Sequence, residues 1–304
     1  MSYALCGLRV ESDLPLPELL PWRGDDRPAD IEIRLGEVPD RLEGAVHEGP
    51  LLQVAADGTC RYAIAGVAAY RVAGGRHVTV QPWMEPTATD IRVFLLGSVF
   101  GFLCHQRGLL PLHAGCVEIG GHVVALAGPS GVGKSTLTAA FLRRGFRVLA
   151  DDVTVVDVAA PGGPLVLPSF PRVKLWRDAM DGLGVAPDGL VRVRREMDKF
   201  QLPLPGAAFL AEPRPLAAVY HLGVAGDERN AGIDPLRGTA AVSALVEAVY
   251  RQNAALRIRK STLLGDVMRV AKLSTARFGR MPDLSALDAA VSAIAAHNGA
   301  DAAR

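Results

Sequence analysis

The fold of this chain is decided by the stretch Gly128-Pro129-Ser130-Gly131-Val132-Gly133-Lys134-Ser135. It matches the pattern G-x-x-x-x-G-K-[ST] at every position, and that pattern predicts a loop whose backbone N–H groups turn inward around phosphate oxygens. The glycines permit the positive φ angles that such a turn needs. A helix that begins at the end of the loop would add the positive end of its dipole at the same place.

The sequence on both sides of the loop predicts the strand and the helix that such a loop requires. The apolar run Val123-Val124-Ala125-Leu126-Ala127 predicts a buried strand, and apolar residues at helical spacing predict a helix from about Gly133 to Arg144. We therefore predict binding of ATP with Mg²⁺, in which Lys134 reaches the β and γ phosphates and Ser135 ligates the metal. The predicted nucleotide-binding residues are Gly128, Ser130, Gly131, Val132, Gly133, Lys134, Ser135 and Thr136.

Two adjacent acids follow the next apolar strand. Arg147-Val148-Leu149-Ala150 predicts a short strand that runs into Asp151-Asp152. The carboxyl ends of neighbouring parallel strands meet at one edge of an α/β sheet, so both carboxylates should lie beside the phosphate loop. One could hold magnesium while the other accepts a proton from an attacking hydroxyl. Paired acids at a strand end also occur as turns or helix caps.

Basic residues further along the chain are candidates for phosphate or substrate contacts. Cations beside a triphosphate stabilise the charge on the transferred phosphoryl group, and Arg172, Lys174 and Lys199 could act in this way. Asp178 and Asp198 lie near them in sequence, and this favours ordinary ion pairing for Lys199.

Three elements in this order resemble the catalytic domain of the HPr kinase/phosphorylase family. They are His113-Ala114-Gly115, the loop at 128–135, and the segment Arg144-Gly145-Phe146-Arg147-Val148-Leu149-Ala150-Asp151-Asp152, which follows the family's Arg-Gly-His-x-Leu-x-Ala-Asp-Asp. A lone His is most often a structural hydrogen-bonding group, and it is the resemblance that makes His113 a catalytic candidate. The matched part covers residues 113–152.

The resemblance implies an ATP- and Mg²⁺-dependent kinase that transfers the γ-phosphoryl group to a serine hydroxyl of a peptide or protein. By that resemblance Asp151 would be the catalytic base and His113 would orient or polarise the hydroxyl. Lys134 would act on the phosphates, while Ser135 and Asp152 would hold the metal. HPr kinases assemble as hexamers, which leaves a homo-oligomer open for this chain.

The sequence also departs from that family. The later Glu-x-Arg-Gly motif is not evident after Asp157, and the segment 170–176 reads Phe-Pro-Arg-Val-Lys-Leu-Trp instead. The segments Gly7–Ser12 and Leu14–Pro17 are similar to HPr-kinase-like proteins of peptide biosynthesis clusters, some of which phosphorylate lasso-peptide precursors. A ribosomally made precursor peptide is therefore the predicted acceptor. The alternatives are a serine kinase of the HPr protein in carbon regulation and a non-catalytic ATP-sensing module.

The predicted fold class is α/β: a P-loop, HPr-kinase-like catalytic domain with a β-rich N-terminal region and a helical C-terminal extension. The predicted boundaries are 1–86, 87–235 and 236–304. The N-terminal region reads as antiparallel strands, with a hairpin turn at Asp57-Gly58. In the extension, helices are predicted near Thr239–Asn253, Ser261–Ala276 and Ser285–His297.

Composition argues against several other classes of function. The formal net charge is +1, which gives no global case for nucleic acid or for an anionic membrane. Residues 251–280 are basic but contain Phe278 as their one aromatic residue, so base stacking is not indicated. The run Val93–Cys104 is shorter than the roughly 20 residues of a membrane span. With no signal-peptide pattern at the start and four widely spaced cysteines, we predict a cytoplasmic protein with reduced thiols.

Overall fold

The computed structural model is a mixed α/β fold with two nine-stranded sheets, and it describes residues 1–227, 231–259, 261–281 and 283–299. The strands of the first sheet are β1 Ser2–Leu5, β2 Leu8–Ser12, β3 Leu20–Pro21, β4 Ile31–Leu35, β5 Ala45–Glu48, β6 Leu52–Ala55, β7 Cys60–Ile64, β8 Ala68–Ala73 and β9 His77–Pro82. The later strands are β10 Leu110–Leu112, β11 Ala114–Ile119, β12 His122–Ala127, β13 Val148–Ala150, β14 Thr154–Asp157, β15 Leu165–Leu167, β16 Arg172–Trp176, β17 Val191–Arg192, β18 Lys199–Pro203, β19 Arg214–Val224, β20 Gly232–Leu236 and β21 Ser274–Arg280. The α-helices are α1 Thr89–Phe94, α2 Phe100–Gln106, α3 Lys134–Arg143, α4 Arg177–Leu183, α5 Gly238–Ala248, α6 Gln252–Ile258, α7 Leu263–Val270 and α8 Leu287–His297.

The first sheet is formed by the N-terminal residues, in the order β3-β1-β2-β4-β9-β8-β7-β6-β5. The predicted hairpin at Asp57-Gly58 is confirmed, because β6 and β7 pair antiparallel on either side of it and Gly58 has a φ of 84°. The expectation of a purely antiparallel region is wrong, since β4 pairs in parallel with both β2 and β9. Connections between parallel strands cannot be tight turns, and the long segment 36–76 between β4 and β9 contains β5 to β8.

The apolar run Val93–Cys104 lies in a helical segment that packs against this first sheet. Helices α1 and α2 are joined by a π-helical turn, Leu95–Val99, and their apolar side chains enter one core with strands β1 to β9. Tyr70 of β8 is fully buried and donates its hydroxyl hydrogen to the carbonyl oxygen of Ile91 at 2.9 Å. The boundary placed at residue 86 stays a prediction. No helix in the described ranges is both long and apolar enough to cross a bilayer.

The second sheet brings three distant points of the sequence to one edge. Strand β11 pairs antiparallel with β12 on one side and with β13 on the other, so β12 and β13 run in the same direction. The register places Ala114 opposite Ala127, and Cys116 opposite Ala150. The start of β11 therefore meets the ends of β12 and β13. We expected β12 and β13 to be neighbouring parallel strands; they share the edge with an antiparallel strand between them.

The C-terminal part is not an all-helical extension. The predicted helix Ser261–Ala276 is wrong in its second half, where the chain leaves α7 and forms β21. Strand β21 pairs in parallel with β19 and antiparallel with β20, and β19 separates it from β12, the strand that precedes the loop. Ala276 and Phe278 are buried, and Arg277 between them is exposed. This alternation is typical of a strand with one buried face, so the helical spacing of the preceding residues does not continue into this segment.

A truncation on β21 tests whether this strand belongs to the core. Phe278 is only 3% exposed and packs in the core beneath the phosphate loop, so Phe278→Ala should lower the free energy of unfolding by about 3–5 kcal/mol. Met268 on α7 is 51% exposed, and Met268→Ala should change the stability by less than about 0.5 kcal/mol. Urea unfolding followed by circular dichroism measures both. Equal, small effects would show that β21 does not pack as described.

Candidate functional site

A cleft of about 340 Å³ opens at the edge where β11 begins and β12 and β13 end. One wall is the phosphate-loop segment, and the opposite wall comes from β16, β18 and the start of α4. Its lining from the predicted nucleotide-binding set is Ser130, Gly131, Gly133, Lys134, Ser135 and Thr136. Val132 instead packs into the core below the loop, and a side chain on Gly128 would come within 2.8 Å of the carbonyl oxygen of Leu222. Val132 and Gly128 therefore pack on the core side of the loop and do not line the cleft.

The loop backbone has the conformation that the glycine pattern predicts. Gly128, Gly131 and Gly133 have φ angles of 137°, 82° and 94°, which residues with a Cβ rarely adopt. Helix α3 begins directly after Gly133, so the free N–H groups of its first turn and its positive dipole end face the cleft. At Gly133 a Cβ would also collide with the guanidinium of Arg280, at 2.5 Å. The geometry suits an anion such as a phosphate.

Lys134 lies inside this loop and is held by it. The side chain is only 7% exposed, and its ammonium donates hydrogen bonds to the carbonyl oxygens of Gly128 and Pro129, both at 2.9 Å. Burial lowers the pKa of Lys134, while attraction to Asp152 and Asp151 opposes that change. An ammonium has three N–H donors, so with both carbonyl bonds in place one donor is left for a phosphate oxygen.

Asp151 is buried behind the cleft rather than exposed in it. Its side chain is 3% exposed, and one carboxylate oxygen accepts a 2.8 Å hydrogen bond from the backbone N–H of Lys174. The other oxygen, Oδ1, has no hydrogen-bond partner in the described chain, and a Cβ added to Gly115 would lie 3.3 Å from it. Burial, and then repulsion from Asp152, raise the pKa of Asp151; the Ser135 hydroxyl is close enough to lower it slightly. An unpaired buried carboxylate oxygen beside Ser135 is a position suited to a cation.

Asp152 faces the cleft and is paired with two basic groups. Its Oδ2 lies 2.7 Å from Nζ of Lys174, and its Oδ1 lies 3.6 Å from Nε2 of His113. Burial alone would raise the pKa of Asp152, but the charge and hydrogen bond of Lys174 and the nearby imidazole of His113 hold it well below its ordinary value. The backbone of Asp152 has a φ of 75°, a strained conformation for a residue other than glycine or asparagine.

His113 is held at the start of β11 by contacts from the C-terminal half of the chain. Its backbone N–H donates to the carbonyl oxygen of Ala248 at 2.7 Å, and its ring meets the ring of Tyr250 edge-on at 5.9 Å between centroids. Tyr250 in turn contacts the helical segment on the first sheet, since a Cβ on Gly101 would lie 2.8 Å from its ring. The imidazole of His113 therefore has a fixed orientation toward Asp152.

Of the two predicted basic residues on β16, Lys174 lines the cleft and Arg172 does not. Arg172 is 7% exposed and its guanidinium is bonded to Gln201, lies 3.8 Å from Glu18 and covers the ring of Phe170. These contacts bury it at the start of β16. A contact between Arg172 and phosphate or substrate stays a prediction.

Three cleft residues were missed or given another role by the sequence. Trp176 is 45% exposed and Lys199 lies over its ring, 5.6 Å from the ring centre; these two residues are paired across β16 and β18. Arg280 at the end of β21 donates to the carbonyl oxygen of Val132 at 3.0 Å. Strand alternation relative to Lys174 could have placed Trp176 on the cleft face. Nothing in the sequence indicated Arg280, because its position depends on β21 joining the sheet.

Comparisons with known proteins find similarity to solved structures. No family model and no curated protein matches the chain. Among solved structures, the HPr(Ser) kinase/phosphatase from Coxiella burnetii is similar over 62% of this chain and 90% of its own, with 13% sequence identity and a TM-score of 0.36. The function is therefore argued below from the geometry of the site.

The two acids should affect stability in opposite directions. A raised pKa means that ionised Asp151 destabilises the folded protein above its folded pKa, so Asp151→Asn should raise the melting temperature at pH 7 by roughly 2–4 °C. A depressed pKa means that ionised Asp152 stabilises the fold above 3.8, its ordinary value, and that this contribution is lost as the pH falls. Asp152→Asn should therefore lower the melting temperature at pH 7 by roughly 4 °C or more, since it also leaves Lys174 buried without a counter-charge. Calorimetry that gives the same sign for both variants would contradict these two environments.

Proposed function

We propose that this protein is an ATP-dependent kinase that transfers the γ-phosphoryl group to a serine hydroxyl of a peptide or protein. The observation that supports it best is the cleft itself, in which the glycine loop and Lys134 face a carboxylate, Asp152, and His113. A nucleotide-sensing module would need the loop alone. A positioned carboxylate and imidazole opposite the loop are what a phosphoryl transferase uses to orient its acceptor.

The residues around Ser135 fit a magnesium ion that arrives with the nucleotide. The described residues include no group of three or more His, Cys, Asp or Glu side chains that could hold a metal alone. A magnesium ion at a phosphate loop needs fewer protein ligands, because the phosphates of the nucleotide and water supply most of the oxygens around it. The carboxylate of Asp151 meets that need, because its Oδ1 has no partner in the described chain and the carboxylate interacts with the Ser135 hydroxyl. When bound, magnesium supplies positive charge to the phosphate oxygens.

We propose that the two acids exchange the roles that the family resemblance implied. Asp151 is buried next to Ser135 and does not line the cleft. This position suits a residue that binds the metal ion. Asp152 lines the cleft beside His113. This position suits a residue that binds the acceptor hydroxyl. Because its pKa is depressed, Asp152 is a weak base. A loose phosphoryl-transfer transition state mainly requires that the acceptor hydroxyl be oriented toward the phosphorus. A weak base in the right position is therefore sufficient.

The transfer step follows from these positions. The serine oxygen forms a bond to the γ phosphorus while the bond from that phosphorus to the β–γ bridging oxygen breaks, and ADP leaves. Asp152 accepts the hydrogen bond of the serine O–H and then its proton, and His113 fixes the orientation of that carboxylate. Lys134 and the loop N–H groups stabilise the charge on the phosphates.

Within this class we propose a ribosomally made precursor peptide, such as a lasso-peptide precursor, as the acceptor. The proposal rests on the short N-terminal motifs at Gly7–Ser12 and Leu14–Pro17. Leu14 and Leu16 are fully buried in the first core, so these motifs describe how the N-terminal region folds rather than a surface that touches the peptide.

Labelled ATP tests the proposed reaction. With γ-labelled ATP and Mg²⁺, label should pass to a serine-containing precursor peptide; the HPr protein serves as the alternative acceptor. Asp152→Asn should lower the rate of transfer at least ~10²-fold and leave ATP binding, measured by calorimetry, within a few-fold of wild type. Lys134→Ala should weaken binding itself. Release of inorganic phosphate only, with no labelled acceptor, would reject the kinase proposal.

The metal role of Asp151 is tested through binding. Asp151→Asn should raise the Mg²⁺ concentration needed for tight ATP binding by roughly tenfold, because one ligand-side charge is lost. Asp152→Asn serves as the matched control and should leave the Mg²⁺ dependence of ATP binding near that of wild type. A larger rise in the required Mg²⁺ concentration for the Asp152 variant than for the Asp151 variant would instead support the roles that the family resemblance implied. Calorimetric titration of ATP at several Mg²⁺ concentrations gives this comparison without any turnover.

A further inference from the structure

Lys199 occupies the wall of the cleft that faces the phosphate loop. It begins β18 and pairs across the strands with Trp176, and both residues line the cleft. Its ammonium lies 5.6 Å from the centre of the Trp176 ring, close enough for a cation–π contact that holds the side chain in one direction. It also interacts electrostatically with Lys134, Asp151 and Asp152, which places it near the centre of the site.

The other basic groups of this wall are already neutralised. Lys174 is bound to Asp152 at 2.7 Å, and Arg172 is turned toward Glu18. Lys199 differs, because no carboxylate in the described chain pairs with it. The nearest acid in sequence, Asp198, pairs with Arg177 and Arg192 instead.

The acid on the same wall, Asp178, has a local role. It lies in the first turn of α4 and accepts the backbone N–H of Ala179 at 2.8 Å. Lys134 and Lys199 both line the cleft, and Asp151 and Asp152 attract both ammonium groups. Lys199 nevertheless makes no direct ion pair in the described chain, so its ammonium is available to an anionic ligand in the cleft.

We infer that Lys199 is a catalytic residue of the proposed kinase, contributing the positive charge that stabilises the γ-phosphoryl group as it passes from ADP to the acceptor. The inference rests on the proposed function and adds to it a cation on the acceptor side of the cleft. Lys134 holds the phosphates from the loop side. As the bond to the bridging oxygen breaks, negative charge on the moving phosphoryl group and on ADP is shared between the two lysines. Trp176 keeps the ammonium in place.

A transition-state mimic separates this role from ordinary nucleotide binding. Calorimetry would measure the affinity for ADP and Mg²⁺ with and without aluminium fluoride, which imitates the transferring phosphoryl group. In Lys199→Gln, ADP affinity should stay within threefold of wild type, the affinity gained on adding fluoride should largely disappear, and the rate of transfer should fall roughly 10²–10³-fold. Lys199→Arg should recover part of the gain because it keeps the charge.

The control is Lys272→Gln, which removes an exposed lysine outside the cleft and should leave both affinities and the rate unchanged. If wild type gains affinity with fluoride and Lys199→Gln gains as much, the inference about Lys199 is wrong while the kinase proposal stands. If wild type binds ADP but neither gains affinity with fluoride nor transfers phosphate, the proposed function fails, and the role of Lys199 fails with it. A lower melting temperature of Lys199→Gln with an unchanged fluoride gain would mean that the lysine only supports Trp176.

Discussion

The site depends on one structural constraint, which is the pairing of β11 with β12 on one side and β13 on the other. Because β11 runs antiparallel to both, its first residue and the last residues of its neighbours lie at the same edge. His113 precedes β11, the phosphate loop follows β12, and Asp151-Asp152 follows β13. Three points separated by up to 39 residues are thus fixed within one cleft by backbone hydrogen bonds, before any side-chain interaction is considered.

Charge balance then decides what each group in the cleft can do. Two adjacent carboxylates at a strand end repel, and Asp152, in a left-handed conformation, is paired with Lys174. Asp151 is buried with one oxygen that no group of the described chain satisfies, which is costly for a carboxylate. Local strain and unsatisfied polar atoms of this kind are concentrated at functional sites, where a ligand relieves them. The two acids therefore differ in environment although they are neighbours in sequence.

Much of this arrangement could be predicted from sequence because it is local. The loop pattern, the strand before it and the helix after it depend on residues within about 20 positions, and the motif at Asp151-Asp152 follows at a fixed spacing. The roles of the two acids could not be predicted, since they depend on which side chain Lys174 reaches from another sheet. Arg280 and Lys199 were misjudged for the same reason: each reaches the cleft through a strand pairing that is not visible in the sequence. The helix predicted from Ser261 was extended too far, into the segment that forms β21, where buried and exposed residues alternate as in a strand.

The N-terminal region also has a physical connection to the site. Glu18 lies between two arginines: it is 2.9 Å from Arg92 on the helical segment and 3.8 Å from Arg172 on β16. All three side chains are about nine-tenths buried, so none of the charges can be removed without leaving an unpaired ion. Arg172 begins the strand whose third residue, Lys174, holds both acids, through its backbone N–H and its ammonium. The N-terminal region, which has no catalytic residue in this proposal, is thus joined by buried ion pairs to the strand whose Lys174 bonds Asp151 and Asp152.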